Sequence, residues 1–311
     1  MAKILITESV HPIGPELLTA AGHTVVYADR DMDVIRREIV DADAVLVRII
    51  ELSGSLLATA KNLKIVSKHG VGYDNIDLDY CKSHGIAVTI TPNANSLSVA
   101  EHAFTLMLTL AKNIIPVSNE YRTVGFAAKN HAPGIEMTGK TLGLIGMGRI
   151  GKHILHMCRD GLDMHVIVYD PYISEVPEGV ERVDDLSELL RRADVVTLHC
   201  LLTDETRKLI DRERLALMKP TALLINCARG PIVDEAALIE ALENGRLAGA
   251  GLDVTDPEPV APDSPLFKLP NVIVTPHYAP TTVESATRVS KIAAENINAV
   301  LAGKEPVGRI V

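Results

Sequence analysis

Three polar side chains that are suited to carbonyl chemistry each follow a predicted strand in the last third of the chain: Arg229, Glu258 and His277. Hydride transfer to a ketone requires a proton donor for the developing alkoxide, and histidine titrates nearest to neutral pH. We therefore predict that His277 is the general acid or base and that the Glu258 carboxylate orients its imidazole. Arg229 supplies forked donors for a substrate carboxylate and the neighbouring carbonyl. This set predicts chemistry on a 2-keto or 2-hydroxy acid.

A glycine-rich segment, Gly146-Met-Gly148-Arg-Ile-Gly151, separates a predicted strand from a predicted helix. Gly146 permits a tight turn, Gly148 allows a pyrophosphate close to the backbone, and Gly151 allows close packing of helix and strand. Asp170 ends the next predicted strand, where a carboxylate accepts hydrogen bonds from ribose hydroxyls and repels a 2′-phosphate. The segment therefore predicts an NAD site, which includes Arg149 and Ile150.

Short β-branched runs alternate with helical patterns, which predicts parallel sheets. The predicted strands are residues 4–7, 24–27, 44–47, 64–67 and 86–89 in a first series, and residues 141–145, 166–169, 195–198, 222–226, 249–253 and 272–275 in a second. A long apolar helix at 98–112 separates the two series, and a last helix at about 281–301 could close back onto the first. The fold class is α/β with two doubly wound parallel-sheet domains.

Composition restricts the class of function. The formal net charge is −9 with no basic block, which disfavours nucleic acid and an anionic membrane as partners. The four cysteines, Cys81, Cys158, Cys200 and Cys227, form no C-x-x-C pair, so neither a disulfide framework nor a metal site is expected. No signal peptide and no apolar run of membrane-spanning length are recognised. We expect a cytoplasmic protein.

The sequence resembles the D-isomer-specific 2-hydroxyacid dehydrogenase family over nearly its whole length, and most closely the phosphoglycerate dehydrogenase-like and hydroxypyruvate reductase-like members. The similarity is carried by the segments 70–77, 91–102, 139–151, 226–235, 251–259 and 275–277. It implies a flavodoxin-like substrate domain from residues 1–95 and 284–311, and a Rossmann NAD-binding domain from residues 96–283. It also implies a homodimer joined through the long helix after Ser98, and we expect no regulatory domain after Val311.

The resemblance assigns roles to individual residues. It implies that Arg229, Glu258 and His277 form the catalytic set and that Asp253 contacts the nicotinamide carboxamide. Backbone groups around Val71 and Gly72 would bind the substrate carboxylate. The predicted cofactor site also includes Cys227, and the predicted substrate site also includes Asn95.

Several positions depart from the family pattern. Lys68 stands where relatives often carry arginine, His199-Cys-Leu201 replaces a frequent His-x-Pro, and Tyr278-Ala-Pro280 follows His277. Arg48, Lys68 and His69 follow first-domain strands and could bind a second anionic group such as a phosphate, or could be ordinary polar loop residues. Our first expectation for the substrate is 3-phosphoglycerate with its keto acid phosphohydroxypyruvate. The alternative is hydroxypyruvate, glyoxylate or another anionic 2-keto acid.

Two other functions occur among proteins that resemble this chain. Transcriptional corepressors resemble these enzymes and use cofactor binding to sense redox state, but this chain lacks the disordered tails that such regulators usually carry. A formate dehydrogenase is disfavoured because Glu258 stands where that branch is expected to carry glutamine. Turnover of a keto acid distinguishes the enzyme from the corepressor.

Overall fold

The computed structural model describes residues 1–311, which divide into two compact units. The first unit comprises residues 1–95 and 280–311, and the second comprises residues 96–279. The sequence-based boundaries fall at 95/96 and 283/284. None of the helices combines the length and the apolar character that a membrane span requires.

The first unit is built on a five-stranded sheet in the order β2-β1-β3-β4-β5, in which every pairing is parallel. Its strands are β1 (Lys3–Ile6), β2 (Thr24–Tyr27), β3 (Ala44–Val47), β4 (Ile65–Lys68) and β5 (Ala87–Thr89). Its helices are α1 (Ile13–Ala20), α2 (Met32–Glu38), α3 (Gly54–Leu57) and α4 (Leu78–Ser83). This strand order is that of flavodoxin-like folds. The central strand β3 is apolar at every position and fully buried, as expected when both faces of a parallel sheet are covered.

The second unit contains a seven-stranded parallel sheet in the order β12-β11-β10-β9-β6-β7-β8. Its strands are β6 (Thr141–Ile145), β7 (His165–Tyr169), β8 (Val180–Arg182), β9 (Val195–Leu198), β10 (Leu223–Asn226), β11 (Gly249–Leu252) and β12 (Val272–Val274). Its helices are α5 (Ser96–Ala111), α6 (Ile114–Val124), α7 (Arg149–Leu162), α8 (Leu186–Arg192), α9 (Arg212–Leu217) and α10 (Glu235–Glu243). The order reverses between β6 and β9, which is the position where Rossmann sheets bind ligands.

The last helix, α11 (Val283–Leu301), completes the first unit. It packs against α1 and β4 through the buried residues Ala293, Ala294 and Ile297. The approach is close: a Cβ atom on Gly14 of α1 would lie 2.4 Å from the Ser290 hydroxyl. The final residues then run antiparallel beside β5, where the Ile310 amide donates to the Val88 carbonyl at 2.8 Å.

The predicted fold class is confirmed, and every predicted strand is present within about a residue of its expected ends. One strand was not predicted. Strand β8 is only three residues long, and its Glu181 and Arg182 side chains are exposed, so no alternation of apolar residues marks it. The helix expected at 98–112 is α5, and the following α6 was not recognised as a separate helix.

Candidate active site

The glycine-rich segment forms the turn between β6 and α7. Gly146 has a φ of 89°, and a Cβ atom there would lie 2.8 Å from the backbone of His199 and Cys200 at the end of β9. A Cβ atom on Gly151 would lie 2.4 Å from the Gly146 carbonyl oxygen. At Gly148, by contrast, no heavy atom lies within 4 Å of the position of a Cβ. Gly148 therefore leaves open space at the start of α7, as a bound pyrophosphate requires.

Two further predicted cofactor residues begin α7, where Arg149 is exposed and Ile150 is half-buried. Asp170 follows β7 and approaches the glycine-rich turn. Its Oδ2 accepts a hydrogen bond from the Met147 amide at 2.8 Å, and its Oδ1 accepts one from the Tyr172 amide at 3.0 Å. The carboxylate is thus fixed beside the turn, in the position from which Rossmann proteins bind ribose.

His277 and Glu258 form a hydrogen-bonded pair at the carboxyl edge of the second sheet. The distance from His277 Nδ1 to Glu258 Oε1 is 2.7 Å, and the two side chains remain 33% and 41% exposed. Because Nδ1 is engaged by the carboxylate, Nε2 is the ring nitrogen left to exchange a proton with a ligand. The pair has the geometry of an oriented acid–base histidine.

The loop that carries His277 is held by Asp253, a buried residue directly after β11. The Asp253 carboxylate accepts hydrogen bonds from the amides of Tyr278 and Ala279 at 2.7 and 2.9 Å, and the Asp253 carbonyl accepts one from the His277 amide at 2.8 Å. His277 has a φ of 52°, a conformation that non-glycine residues rarely adopt and that surrounding bonds must maintain. Asp253 therefore fixes the backbone of the predicted catalytic histidine.

Arg229 follows β10, and its backbone is placed by local hydrogen bonds. The Asn226 amide group donates to the Arg229 carbonyl at 2.9 Å, and Arg229 Nη1 donates to the Ala228 carbonyl at 2.8 Å. The next residue must be glycine, since a Cβ on Gly230 would lie 1.9 Å from the Thr255 carbonyl oxygen.

Strand register brings the predicted catalytic residues to neighbouring positions. The last residues of β10, β11 and β12 pair as Asn226 with Leu252 and Leu252 with Val274. Adjacent strands lie about 4.8 Å apart, so the loops that carry Arg229, Glu258 and His277 leave one edge side by side. Cys227 is buried at the same edge, and burial raises the pKa of its thiol well above the ordinary value.

The predicted substrate residues lie in the first unit, at the carboxyl ends of its strands. Lys68 is the last residue of β4, and its ammonium group donates to the Arg48 carbonyl and to Asn75 Oδ1. Val71 and Gly72 are half-buried in the loop that follows β4. Asn95 is also half-buried, and its side-chain oxygen is buried without a hydrogen-bond partner. Arg48 follows β3, and its Nη1 donates to the Ser9 carbonyl at 2.8 Å.

Two polar residues that organise these edges were not predicted. Glu8 follows β1 and is buried, and its carboxylate accepts hydrogen bonds from backbone amides that follow β3. His102, on α5, places Nε2 at 3.0 Å from Thr275 Oγ1, which donates to Asp253 Oδ1 at 2.6 Å. An acidic residue directly after a buried strand could have indicated Glu8. No sequence signal links His102 to residues so distant in the chain.

The second unit is a Rossmann unit with an open glycine-rich turn and an oriented histidine–carboxylate pair, and the first unit is flavodoxin-like. Together these features define the class of α/β proteins that resemble two-domain dehydrogenases. Residues 104–279 match the model of the D-isomer specific 2-hydroxyacid dehydrogenase NAD-binding domain. The chain belongs to this family.

Individual relatives agree with this assignment. The chain is 42% identical over 308 residues to a D-3-phosphoglycerate dehydrogenase of Methanocaldococcus jannaschii, an alignment that covers 98% of this chain and 58% of the relative. It is 38% identical to a glyoxylate reductase of Thermofilum pendens, with coverage of 98% and 93%. The crystal structure of a Thermus thermophilus protein superposes with a TM-score of 0.92 at 35% identity and covers 99% and 100% of the two chains. The chain thus spans little more than half of the phosphoglycerate dehydrogenase.

Proposed function

We propose that this protein is an NAD-dependent D-2-hydroxyacid dehydrogenase that interconverts a small D-2-hydroxy acid and its 2-keto acid. The observation that carries the proposal is the 2.7 Å bond between His277 Nδ1 and Glu258 Oε1, on a backbone held by Asp253. General acid–base chemistry on a C2 oxygen requires an oriented, accessible imidazole of this kind. Family membership supports the same reaction.

The glycine-rich turn, Asp170 and Asp253 fit a nicotinamide dinucleotide. The open space at Gly148 admits a pyrophosphate at the start of α7, and the Asp170 carboxylate favours a free ribose hydroxyl over a 2′-phosphate. Bound NAD supplies the hydride acceptor or, in its reduced form, the hydride donor. These residues support NAD as the cofactor.

His277 moves the proton that accompanies reduction or oxidation at C2. In reduction, the imidazolium donates the Nε2 proton to the C2 oxygen, and in oxidation the neutral ring accepts a proton from the hydroxyl at the same atom. The Glu258 carboxylate remains bonded to Nδ1 and stabilises the charged ring in both directions. Arg229 binds the substrate carboxylate and polarises the carbonyl beside it.

The relatives are named for two groups of substrate. The sequence favoured 3-phosphoglycerate and its keto acid first, with hydroxypyruvate or glyoxylate as the alternative. A D-3-phosphoglycerate dehydrogenase and a glyoxylate reductase both align over 98% of this chain. The two groups differ in charge, because only phosphoglycerate and its keto acid carry a phosphate.

A panel of 2-keto acids tests the proposed reaction. We expect the purified protein to oxidise NADH with at least one of phosphohydroxypyruvate, hydroxypyruvate, glyoxylate, pyruvate, oxaloacetate and sulfopyruvate, and the absorbance of NADH measures the rate. Absence of turnover across the panel would contradict the proposal and favour a cofactor-sensing protein instead.

Replacement of the histidine tests the mechanism. We expect His277→Ala to lower kcat by about 10²- to 10⁴-fold and to leave the Kd for NADH unchanged, because only the proton donor is removed. Stopped-flow kinetics and fluorescence titration measure the two quantities. His131→Ala, at a partly exposed histidine that lies outside the proposed site, is the control and should keep the wild-type rate. Full activity of His277→Ala would remove this residue from the mechanism.

We also propose that the protein is a cytoplasmic homodimer. The four cysteines are unpaired, which suits a reducing compartment. Helix α6 has no buried residue, and apolar side chains in and after it are exposed, including Tyr121 and Phe126. Exposed large apolar side chains of this kind are typical of an interface, and only two residues separate α6 from the end of α5.

A further inference from the structure

His102 lies on α5 and meets the end of β12 through the hydroxyl group of Thr275. The distance from His102 Nε2 to Thr275 Oγ1 is 3.0 Å, and the same hydroxyl donates to Asp253 Oδ1 at 2.6 Å. A hydroxyl group has a single proton to donate, and an ionised carboxylate can only accept. The Thr275 proton is therefore used on Asp253, so His102 Nε2 must carry a proton and donate it to Thr275 Oγ1.

The Asp253 carboxylate is the acceptor at which this chain of hydrogen bonds ends. Asp253 is 1% exposed, and its two oxygens also accept from the amides of Tyr278 and Ala279 at 2.7 and 2.9 Å. His102 Nε2 lies 3.5 Å from Asp253 Oδ1. A buried carboxylate is stable only while surrounding donors replace the water that it has lost. His102, through Thr275, is therefore one of the groups that hold the Asp253 carboxylate in place.

The loop that depends on this carboxylate carries His277 in a backbone conformation that requires support. His277 has a φ of 52°, and its amide donates to the Asp253 carbonyl at 2.8 Å. The next two amides, of Tyr278 and Ala279, donate to the Asp253 side chain. Three successive amides are thus bound by one residue. Displacement of the Asp253 carboxylate would release two of them, and the backbone of His277 could then relax toward negative φ.

His102 also contacts this loop directly through its ring. The ring centroids of His102 and Tyr278 lie 6.2 Å apart at an interplanar angle of 63°, an edge-to-face arrangement. The His102 side chain is only 17% exposed, and the helix that carries it packs against β11 and β12. The imidazole therefore supports the residue after His277 from a helix of the core rather than from a loop.

We infer that His102 is a positioning residue for the acid–base histidine: its Nε2–H group donates to Thr275, which fixes the Asp253 carboxylate and thereby the backbone of His277. The inference rests on the proposed function, because it concerns the reaction of the same site. His102 acts through Thr275 and Asp253 rather than on the substrate. Arg229, the predicted ligand of the substrate carboxylate, is held by separate hydrogen bonds. Loss of His102 should therefore lower kcat more than it raises KM.

Two replacements of His102 separate the proton donor from the space that the ring fills. We expect His102→Leu to lower kcat for the best 2-keto acid of the panel by about 10- to 100-fold and to change KM by less than about threefold, because Thr275 loses its donor. Glutamine carries an N–H group the same number of bonds from Cα, so we expect His102→Gln to restore kcat to within about threefold of the wild type. His156→Leu, at a histidine 75% exposed on α7, is the control and should keep the wild-type values. Equal losses in His102→Leu and His102→Gln would overturn the inference.

A double variant tests whether His102 acts through Thr275. Thr275→Val removes the hydroxyl group and keeps the branched shape of the side chain. If one chain of hydrogen bonds links the two residues, removal of both groups costs no more than removal of one. We therefore expect His102→Leu combined with Thr275→Val to have the kcat of the slower single variant. Losses that multiply in the double variant would mean that His102 acts independently of Thr275, and would overturn the inference.

Hydrogen exchange provides a measurement that needs no turnover. We expect the amides of Tyr278 and Ala279 to exchange about tenfold faster in His102→Leu than in the wild type and in His102→Gln, because their acceptor is no longer held. The amide of Leu144, in the central strand β6, is the control and should be unchanged. Unchanged exchange at Tyr278 and Ala279 in His102→Leu would overturn the inference. Faster exchange there, in a protein that turns over none of the acids, would overturn the proposed function and support the chain of hydrogen bonds.

Discussion

At the scale of single residues, the charge of Asp170 is expected to select between the two nicotinamide dinucleotides. We expect Asp170→Asn to reduce the preference for NADH over NADPH at least tenfold, because the amide oxygen can still accept a hydrogen bond from Met147 while the repulsion of a 2′-phosphate is removed. The ratio of kcat/KM values for the two cofactors measures the effect. Asp184→Asn, at a carboxylate 86% exposed, is the control. An unchanged ratio would mean that another residue reads the ribose.

The sequence placed His277 and Glu258 at one edge because parallel strands share a direction, and the structure places their side chains 2.7 Å apart. Their catalytic roles remain predictions. What the sequence could not provide is the set of contacts that hold them. The resemblance implied only that Asp253 contacts the nicotinamide. The structure shows that Asp253 also makes four hydrogen bonds to the loop after β12, and these depend on the register between strands. The hydrogen bond from Lys68 Nζ to Asn75 Oδ1 likewise could not be predicted from the sequence.

At the scale of elements, the glycines of the turn between β6 and α7 meet two different requirements, space for a ligand and close packing of the backbone. Gly148 faces open space and has an ordinary φ of −73°, whereas a Cβ on Gly151 would collide with the Gly146 carbonyl. The pattern G-x-G-x-x-G does not reveal which glycine serves the ligand and which serves packing. Because Gly148 borders open space and Gly151 is closely packed, we predict that Gly148 serves the ligand and Gly151 serves packing.

Alanine at these two positions should therefore have opposite effects. We expect Gly148→Ala to change the free energy of unfolding by less than about 0.5 kcal/mol and to raise the Kd for NADH at least tenfold. We expect Gly151→Ala to destabilise the protein by about 1 to 3 kcal/mol, because the added methyl group overpacks the turn. Urea unfolding and fluorescence titration measure both. Equal stability of the two variants would contradict this division of roles.

Strand identity was predictable wherever burial of both faces produced an apolar run, as in β3 and β9. The short edge strand β8 was not predictable, because three residues with two exposed side chains show no alternation of apolar residues. Helix α6 was not recognised although Ile114, Val117, Tyr121 and Val124 have helical spacing, because only two residues separate it from the end of α5.

At the scale of the whole molecule, each unit contains one histidine that burial keeps neutral, and acid should therefore destabilise both units. Burial lowers the pKa of His69 and of His199 to about 3. The unfolded chain binds these protons near pH 6.5, and the folded chain does not until about pH 3. Stability is therefore lost as the pH falls through this interval, by up to about 1.4 kcal/mol per pH unit for each histidine.

A substitution at His199 isolates one of the two contributions. We expect His199→Gln to show a smaller loss of unfolding free energy between pH 7 and pH 5 than the wild type, since glutamine cannot titrate. Urea unfolding at the two pH values measures the difference. The exposed His156, 75% accessible, provides the control as His156→Gln, which should keep the wild-type slope. An unaltered slope in His199→Gln would show that its protonation is not linked to unfolding.

The oligomeric state is also a property of the whole molecule. We expect the protein to have twice the monomer mass by light scattering and the double variant Tyr121→Lys with Phe126→Lys to have the monomer mass, because two charges would have to be buried in the apolar interface. The side chains are 59% and 72% exposed, so the variant should fold. Tyr27→Lys, at a tyrosine 54% exposed in the first unit, should remain dimeric. A wild-type monomer would contradict the proposed dimer.

The division of the first unit between both ends of the chain has a consequence for biosynthesis. Strands β1 to β5 leave the ribosome first, but α11, whose Ala293 and Ile297 cover the buried face formed by residues such as Ile4 and Leu46, follows the entire second unit. At ordinary elongation rates this delay is on the order of ten seconds or more. During this delay one apolar face of the nascent sheet remains uncovered. We expect chaperones to shield this face during translation, and a chain that terminates before α11 to be a target for degradation.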